Sequence, residues 1–113
     1  MHLELKPVSD DCVHVSIEGE VDLENSDDLR EALILASAQA SRIELHSAAL
    51  TFIDSAGLSA LIAGHRALVS RYGAAATIVV VDPPQHLQRL LQVVGLTDLF
   101  PSVTAQDCPA LEV

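Results

Sequence analysis

A mixed α/β domain is what the sequence predicts, and three observations predict it. Strand-like alternation opens the chain, and helical apolar spacing then recurs three times. Short β-branched or apolar runs separate those helical stretches. Half of the 113 residues are hydrophobic, enough for one core, so residues 1–113 read as a single domain. About four strands and three to four helices are expected, with a β-hairpin first.

From Cys12 to Glu18, Val13, Val15 and Ile17 recur at every second position, the pattern of a strand with one buried face. An earlier strand at residues 2–6 can pair with it through the turn Ser9-Asp10-Asp11. The loop Gly19-Glu20-Val21-Asp22-Leu23 leads to a helix that Asn25 or Ser26 can cap, with Asp27 and Asp28 at its positive dipole end. Leu29, Ala32, Leu33 and Ala36 give that helix an apolar face, running to about Gln39.

Arg42–His46 reads as a short strand, and Leu50-Thr51-Phe52-Ile53 as an apolar approach to a second helix, from Ser55 to near Tyr72, stopped by Gly73. Ala76–Val81 is nearly all β-branched, as in a central strand covered on both faces. A third helix from Pro84 to Val94 presents Leu87, Leu90, Leu91 and Val94, with Gly95 as its stop. The tail holds a Phe100-Pro101 turn, a short strand near Val103 and a final helical turn near Pro109–Glu112.

A formal charge of −10, from 16 acidic residues against 6 Lys and Arg, repels phosphodiester backbones and anionic membranes. With no Trp, one Tyr and two Phe, stacking platforms for bases are missing too. A protein partner with a basic face fits better, and neither direct nucleic-acid nor membrane binding is expected. The N-terminus lacks the basic region and apolar run of a signal peptide, and no stretch approaches the ~20 apolar residues of a membrane span. A cytoplasmic protein is therefore expected. Cys12 and Cys108 read as two reduced, unrelated thiols, and His2, His14, His46, His65 and His86 are scattered without helix-face metal spacing, so no metal or cofactor is expected.

No G-x-S-x-G elbow, Walker loop, H-E-x-x-H or G-x-G-x-x-G motif occurs, which argues against an enzyme. The informative segment is the start of the second helix. With Ser55 at zero, Leu58, Leu61, Ile62, His65, Leu68, Val69 and Tyr72 fall between about 220° and 340°, a buried arc with His65 near its centre. Ser55, Arg66 and Ser59 lie at about 0°, 20° and 40° and form a polar stripe beside it. Asp54 or Ser55 can cap this helix, and a phosphate on Ser55 would sit at the dipole end among N–H donors, with Asp22 adding repulsion towards a partner.

Gly19-Glu20-Val21-Asp22-Leu23 with Asp28-Leu29, Phe52-Ile53-Asp54-Ser55-Ala56-Gly57-Leu58 with Ala60-Leu61, and Gly95-Leu96 with Leu99-Phe100-Pro101 resemble the STAS domain family (sulfate transporter and anti-sigma factor antagonist) over about residues 3–103. The similarity is to its stand-alone anti-sigma factor antagonists. It implies a non-enzymatic switch that binds an anti-sigma factor with a serine kinase fold, releases a sigma factor, and leaves that partner once phosphorylated; a phosphatase reverses the step. Ser55 matches the phosphoacceptor, Asp54 the acid before it, Gly57 the motif glycine and Asp22 the acidic loop residue. Asn25, Thr51, Leu58, Ser59 and Arg66 are the further candidates for partner contact or support of the phosphosite. Two departures stand out: His46 with Ser47 where an acid is usual, which would make the surroundings of Ser55 less acidic, and His65 where an aliphatic residue is usual. The alternative is a non-phosphorylated adaptor subunit of a lipid-transporter ATPase complex. A pH- or redox-responsive regulator using His46, His65 or the thiols has only residue identities behind it.

Overall fold

On the first strand, β1 (His2–Ser9), Leu3 and Leu5 stand opposite Ile17 and Val15 of β2 (Cys12–Val21), so the opening hairpin forms as its alternation requires. The computed structural model describes residues 1–104. The helical turn expected near Pro109–Glu112 lies outside the described residues, as does Cys108. After the hairpin come α1 (Ser26–Ser37), β3 (Arg42–Ile53), α2 (Ser55–Tyr72) with a 3-10 turn at Gly73–Ala75, β4 (Thr77–Val81), α3 (Gln85–Val94) and β5 (Ser102–Val103).

The sheet order is β1-β2-β3-β4-β5, with β1 antiparallel to β2 and all later pairs parallel. When parallel neighbours follow one another in sequence, right-handed crossovers carry every connecting helix to one face. The core agrees: Val13, Val15, Ile17, Ile43, Leu45, Ile78 and Val80 share a single apolar cluster with Leu29, Leu33, Leu61, Leu68, Leu87 and Leu91 of the helices. The alternate residues of the same strands face the other way. There Val79 and Val81 form a small second cluster with Val103, so β4 is covered on both faces. No described helix is long and apolar enough to cross a membrane.

Several boundaries differ from the sequence expectation. Five strands form where about four were expected: the short strand expected near Val103 is present as the two-residue β5, held by Val80 N–H to Pro101 O (2.8 Å) and Asp82 N–H to Val103 O (2.8 Å). β2 and β3 each run further than expected, to Val21 and Ile53. Register shifts between Ser16 and Glu18 and between Gly19 and Glu20 break the alternation there without ending the pairing. α1 stops at Ser37, short of Gln39, in a turn where Ala38 and Gln39 N–H bond to Leu35 and Ala36 carbonyls. Neither Asn25 nor Ser26 caps it through its side chain.

The buried face of α2 is rotated from the expected arc. Leu58, Leu61 and Leu68 are buried, but so are Gly57, Ala60 and Gly64, while Val69 is 42% exposed and His65 only half-buried against Phe100 (ring centroids 5.9 Å, edge-on). The reason is close helix packing: a Cβ on Gly64 would lie 2.7 Å from Leu33 Cβ of α1. Small residues mark that contact, and bulk-weighted periodicity does not see them. On α3, Leu87 and Leu91 are buried, Leu90 is half-buried and Val94 is exposed at 47%.

Candidate functional site

Two parallel strands end side by side, and the site is built on the turns that leave them. Val21 closes β2 and Ile53 closes β3 opposite it, and Asp54 N–H donates to Val21 O (3.3 Å). The Asp22 loop and the start of α2 are thereby fixed together. Within the loop, Asp22 Oδ1 accepts from the N–H of Glu24 (3.0 Å) and Asn25 (3.3 Å). Asn25 Oδ1 accepts from Asp22 N–H (2.9 Å), and its amide donates to Glu20 O (2.9 Å). Asn25 is thus occupied in closing the loop, the physical reason it does not cap α1.

Asp54 is the residue that caps α2: its backbone is extended, and its Oδ1 accepts from Ala56 N–H (2.9 Å) and Gly57 N–H (3.3 Å). Ser55 is therefore the first helical residue and not the cap, a correction to the expectation that it could do both. Two of the N–H donors at this terminus are already taken by Asp54. A phosphate on Ser55 would thus project outward beside a carboxylate instead of nesting on open donors. Ser55 itself is exposed.

The division of labour gives a direct prediction. Asp54→Ala should lower the unfolding free energy by about 1 kcal/mol (range roughly 0.5–2), while Ser55→Ala should stay within about 0.5 kcal/mol. Urea midpoints of the two variants check this, and the reverse order would return the cap to Ser55.

Ser59 lies one turn on, exposed, with Oγ donating to Ser55 O (3.1 Å). Arg66 is exposed on the same helix, eleven positions from Ser55 and roughly 16 Å further along the axis, so it shares the exposed side with Ser55 but does not meet it. Thr51 is exposed on β3. Leu58 is 5% exposed and Gly57 is buried against Ile53 and Val21, so both support the helix start from beneath. Sequence reasoning missed the neighbours that complete the surface. A shallow cleft of about 230 Å³ between α1 and α2 is lined by Leu23, Asp27, Arg30, Ala56 and Ser59, among others. Leu23, on the rim of this cleft, is 81% exposed, and Phe52 of β3 is 47% exposed.

His46 does not soften the surroundings of Ser55 as expected. Its parity with Arg42 and Glu44 turns it to the sheet face opposite the α2 side, where its ring lies 4.4 Å from that of His14. Burial, and then the neighbouring His14, lower the His46 pKa below its ordinary value of 6.5, against the opposing pull of Glu44 and Asp82.

A family model described as Mlab, STAS domain, matches residues 6–101. No curated protein sequence gives a significant match. Among solved structures, the unphosphorylated Bacillus anti-sigma factor antagonist SpoIIAA superposes with a TM-score of 0.78 at 20% identity, covering 94% of this chain and 91% of SpoIIAA. An anti-sigma factor antagonist from Mycobacterium paratuberculosis gives 0.77 at 25% identity, covering 97% of this chain and 90% of that one. Phosphorylated SpoIIAA gives 0.72 at 20% identity, covering 94% and 95%. The family match spans both turns that build the site, the second half of β1 and the whole of β2, β3 and β4, and on it the chain belongs to the STAS domain family.

Proposed function

We propose that residues 1–113 act as one cytoplasmic, non-enzymatic domain, an anti-sigma factor antagonist switched by phosphorylation of Ser55. The observation that carries this reading is the exposed Ser55 hydroxyl at the first position of α2, directly after a cap that Asp54 supplies alone. A kinase can reach such a group, and modification leaves the cap and core intact. In the unphosphorylated state, the apolar Leu23 and Phe52 and the cleft beside Ser59 offer contact area to an anti-sigma factor with a serine kinase fold. Phosphorylation adds about −1.5 to −2 charges next to Asp54 and the Asp22 loop, and repulsion with desolvation then opposes the complex. A phosphatase restores it.

The likeness to SpoIIAA, which has been solved in both unphosphorylated and phosphorylated forms, supports the same reading. Incubation with ATP and the cognate kinase should add about 80 Da per chain, and Ser55→Ala should abolish the gain. A gain that survives in Ser55→Ala would sink the proposal. A second reading is kept because the matching family model carries the description Mlab and not that of an antagonist. In it the chain is a constitutive adaptor in a lipid-transporter ATPase complex, and Ser55 is a contact only. Stable co-purification with an ATPase, unchanged by Ser55→Asp, would select it.

A further inference from the structure

The sheet face turned away from the described helices gathers side chains that the sequence keeps far apart. Cys12 and His14 lie two residues apart on β2, and Glu44 and His46 two apart on β3. The period of a strand is two, so each pair shares a face, and the parallel register sets His14 against Glu44 and Ser16 against His46. His14 Nε2 comes within 2.8 Å of Glu44 Oε1, and His46 Nε2 lies 3.7 Å from the same oxygen. Ligand atoms of Cys12, His14 and Glu44 all fall within 4.8 Å of one another, and all three residues are buried.

We propose that Cys12, His14, Glu44 and His46 form a binding site for a borderline divalent d-block cation, with Zn2+ the best fit. Three features carry this. The Nε2 atoms of both histidines are buried and converge on one carboxylate oxygen, at 2.8 Å from His14 and 3.7 Å from His46, in directions that do not give either a well-formed hydrogen bond. Buried ring nitrogens are nearly always satisfied, and a cation between them would satisfy both at once. The donor set is one sulfur, two imidazoles and one carboxylate, which suits zinc and not Mg2+ or Ca2+, whose ligands are oxygens.

The spacing also fits. Metal bonds of about 2.0–2.3 Å in a tetrahedron place neighbouring donors roughly 3.3–3.7 Å apart. Cys12, His14 and Glu44 already lie near that range, with ligand atoms within 4.8 Å of one another, and His46 Nε2, 3.7 Å from Glu44 Oε1, is the fourth donor that must turn in to complete the site. Arg42 Nε donates to Glu44 Oε2 at 3.0 Å, which holds the other carboxylate oxygen and aims Oε1 at the histidines. Thiolate and carboxylate together neutralise a divalent ion. Four protein donors fill a tetrahedron and leave no open position, so the ion would clamp β2 to β3 and not catalyse. The two strands so joined are the ones whose ends carry the Asp22 loop and the Asp54 cap.

Co2+ added to reduced protein is the probe. One equivalent should bind with thiolate-to-cobalt charge-transfer absorption and the intense visible bands of tetrahedral geometry. Both should vanish in Cys12→Ala and in His46→Gln and persist in Cys108→Ala and His65→Gln. Zn2+ should displace Co2+ and raise Tm by roughly 10 °C at a free concentration a hundredfold above its Kd. Absence of one-to-one uptake, a spectrum without the thiolate band, or unchanged binding in either site variant would overturn the site. Far-UV circular dichroism verifies each variant's fold, and half-buried His46→Gln decides the matter should Cys12→Ala fail to fold.

Discussion

Glu44→Ala should lower the unfolding free energy by about 3–5 kcal/mol, among the largest losses any single substitution in this chain can cause. Glu44 is 0% exposed near the start of β3, while Arg42, whose Nε is hydrogen-bonded to Oε2, keeps a third of its side chain in solvent. A carboxylate in such a position is tolerated only because cationic and polar neighbours compensate for its lost water. Truncation removes that compensation from Arg42 and His14 together and opens a cavity beneath them. Glu44→Gln retains the shape and loses the charge, so a smaller cost of about 1.5–3 kcal/mol is expected. Urea unfolding of both variants, with chelator present, separates charge from volume. A cost below about 1 kcal/mol for Glu44→Ala would mean that the buried carboxylate contributes no net stability.

The same strands show what the sequence could and could not reveal. Alternation of Val13, Val15 and Ile17, and the run Thr77–Val81, made the helix-covered face legible, because apolar burial follows a fixed period. The motif around Ser55 marked the candidate site, and Ser55, Ser59 and Arg66 are exposed as their helical angles predict. The polar cluster was not legible. His14 and His46 are 32 positions apart in sequence, and only the pairing of β2 with β3, a long-range choice, brings their rings to 4.4 Å. Helix-face spacing carries no trace of a cluster whose members stand on two paired strands.

The choice between Asp54 and Ser55 as cap was equally open in the sequence, since both side chains can accept from the first turn. Backbone direction at the end of β3 decides it, by placing Asp54 outside the helix with its oxygen over Ala56 and Gly57. Small residues were the third blind spot. Gly57, Ala60 and Gly64 carry no apolar bulk, yet they are where α2 comes closest to its neighbours.

That last point yields a severe test at the site itself. Gly57→Val should cost about 3 kcal/mol or more, at the upper end of overpacking, and Gly57→Ala about 1–3 kcal/mol. A Cβ at Gly57 would sit 2.4 Å from Ile53 Cγ1, 2.8 Å from Ile53 Cδ1 and 3.0 Å from Val21 Cγ1. Ile53 is 8% exposed and β-branched, so its χ1 has little room to yield, and Val21 is fully buried at the end of β2. The easier escape is for the first turn of α2 to lift from the sheet. Lifting stretches the bond from Gly57 N–H to Asp54 Oδ1, already 3.3 Å, and tilts the turn that presents Ser55. If Ser55 is the phosphoacceptor as proposed, Gly57→Ala, expected to stay folded, should therefore slow its phosphorylation, whereas Gly64→Ala, clashing with Leu33 two turns away, should destabilise the domain and leave the rate on the folded fraction unchanged. Urea midpoints paired with initial rates of mass gain distinguish the two. Equal slowing by both variants would show that Gly57 acts on Ser55 only through global stability, not through the geometry of the helix start.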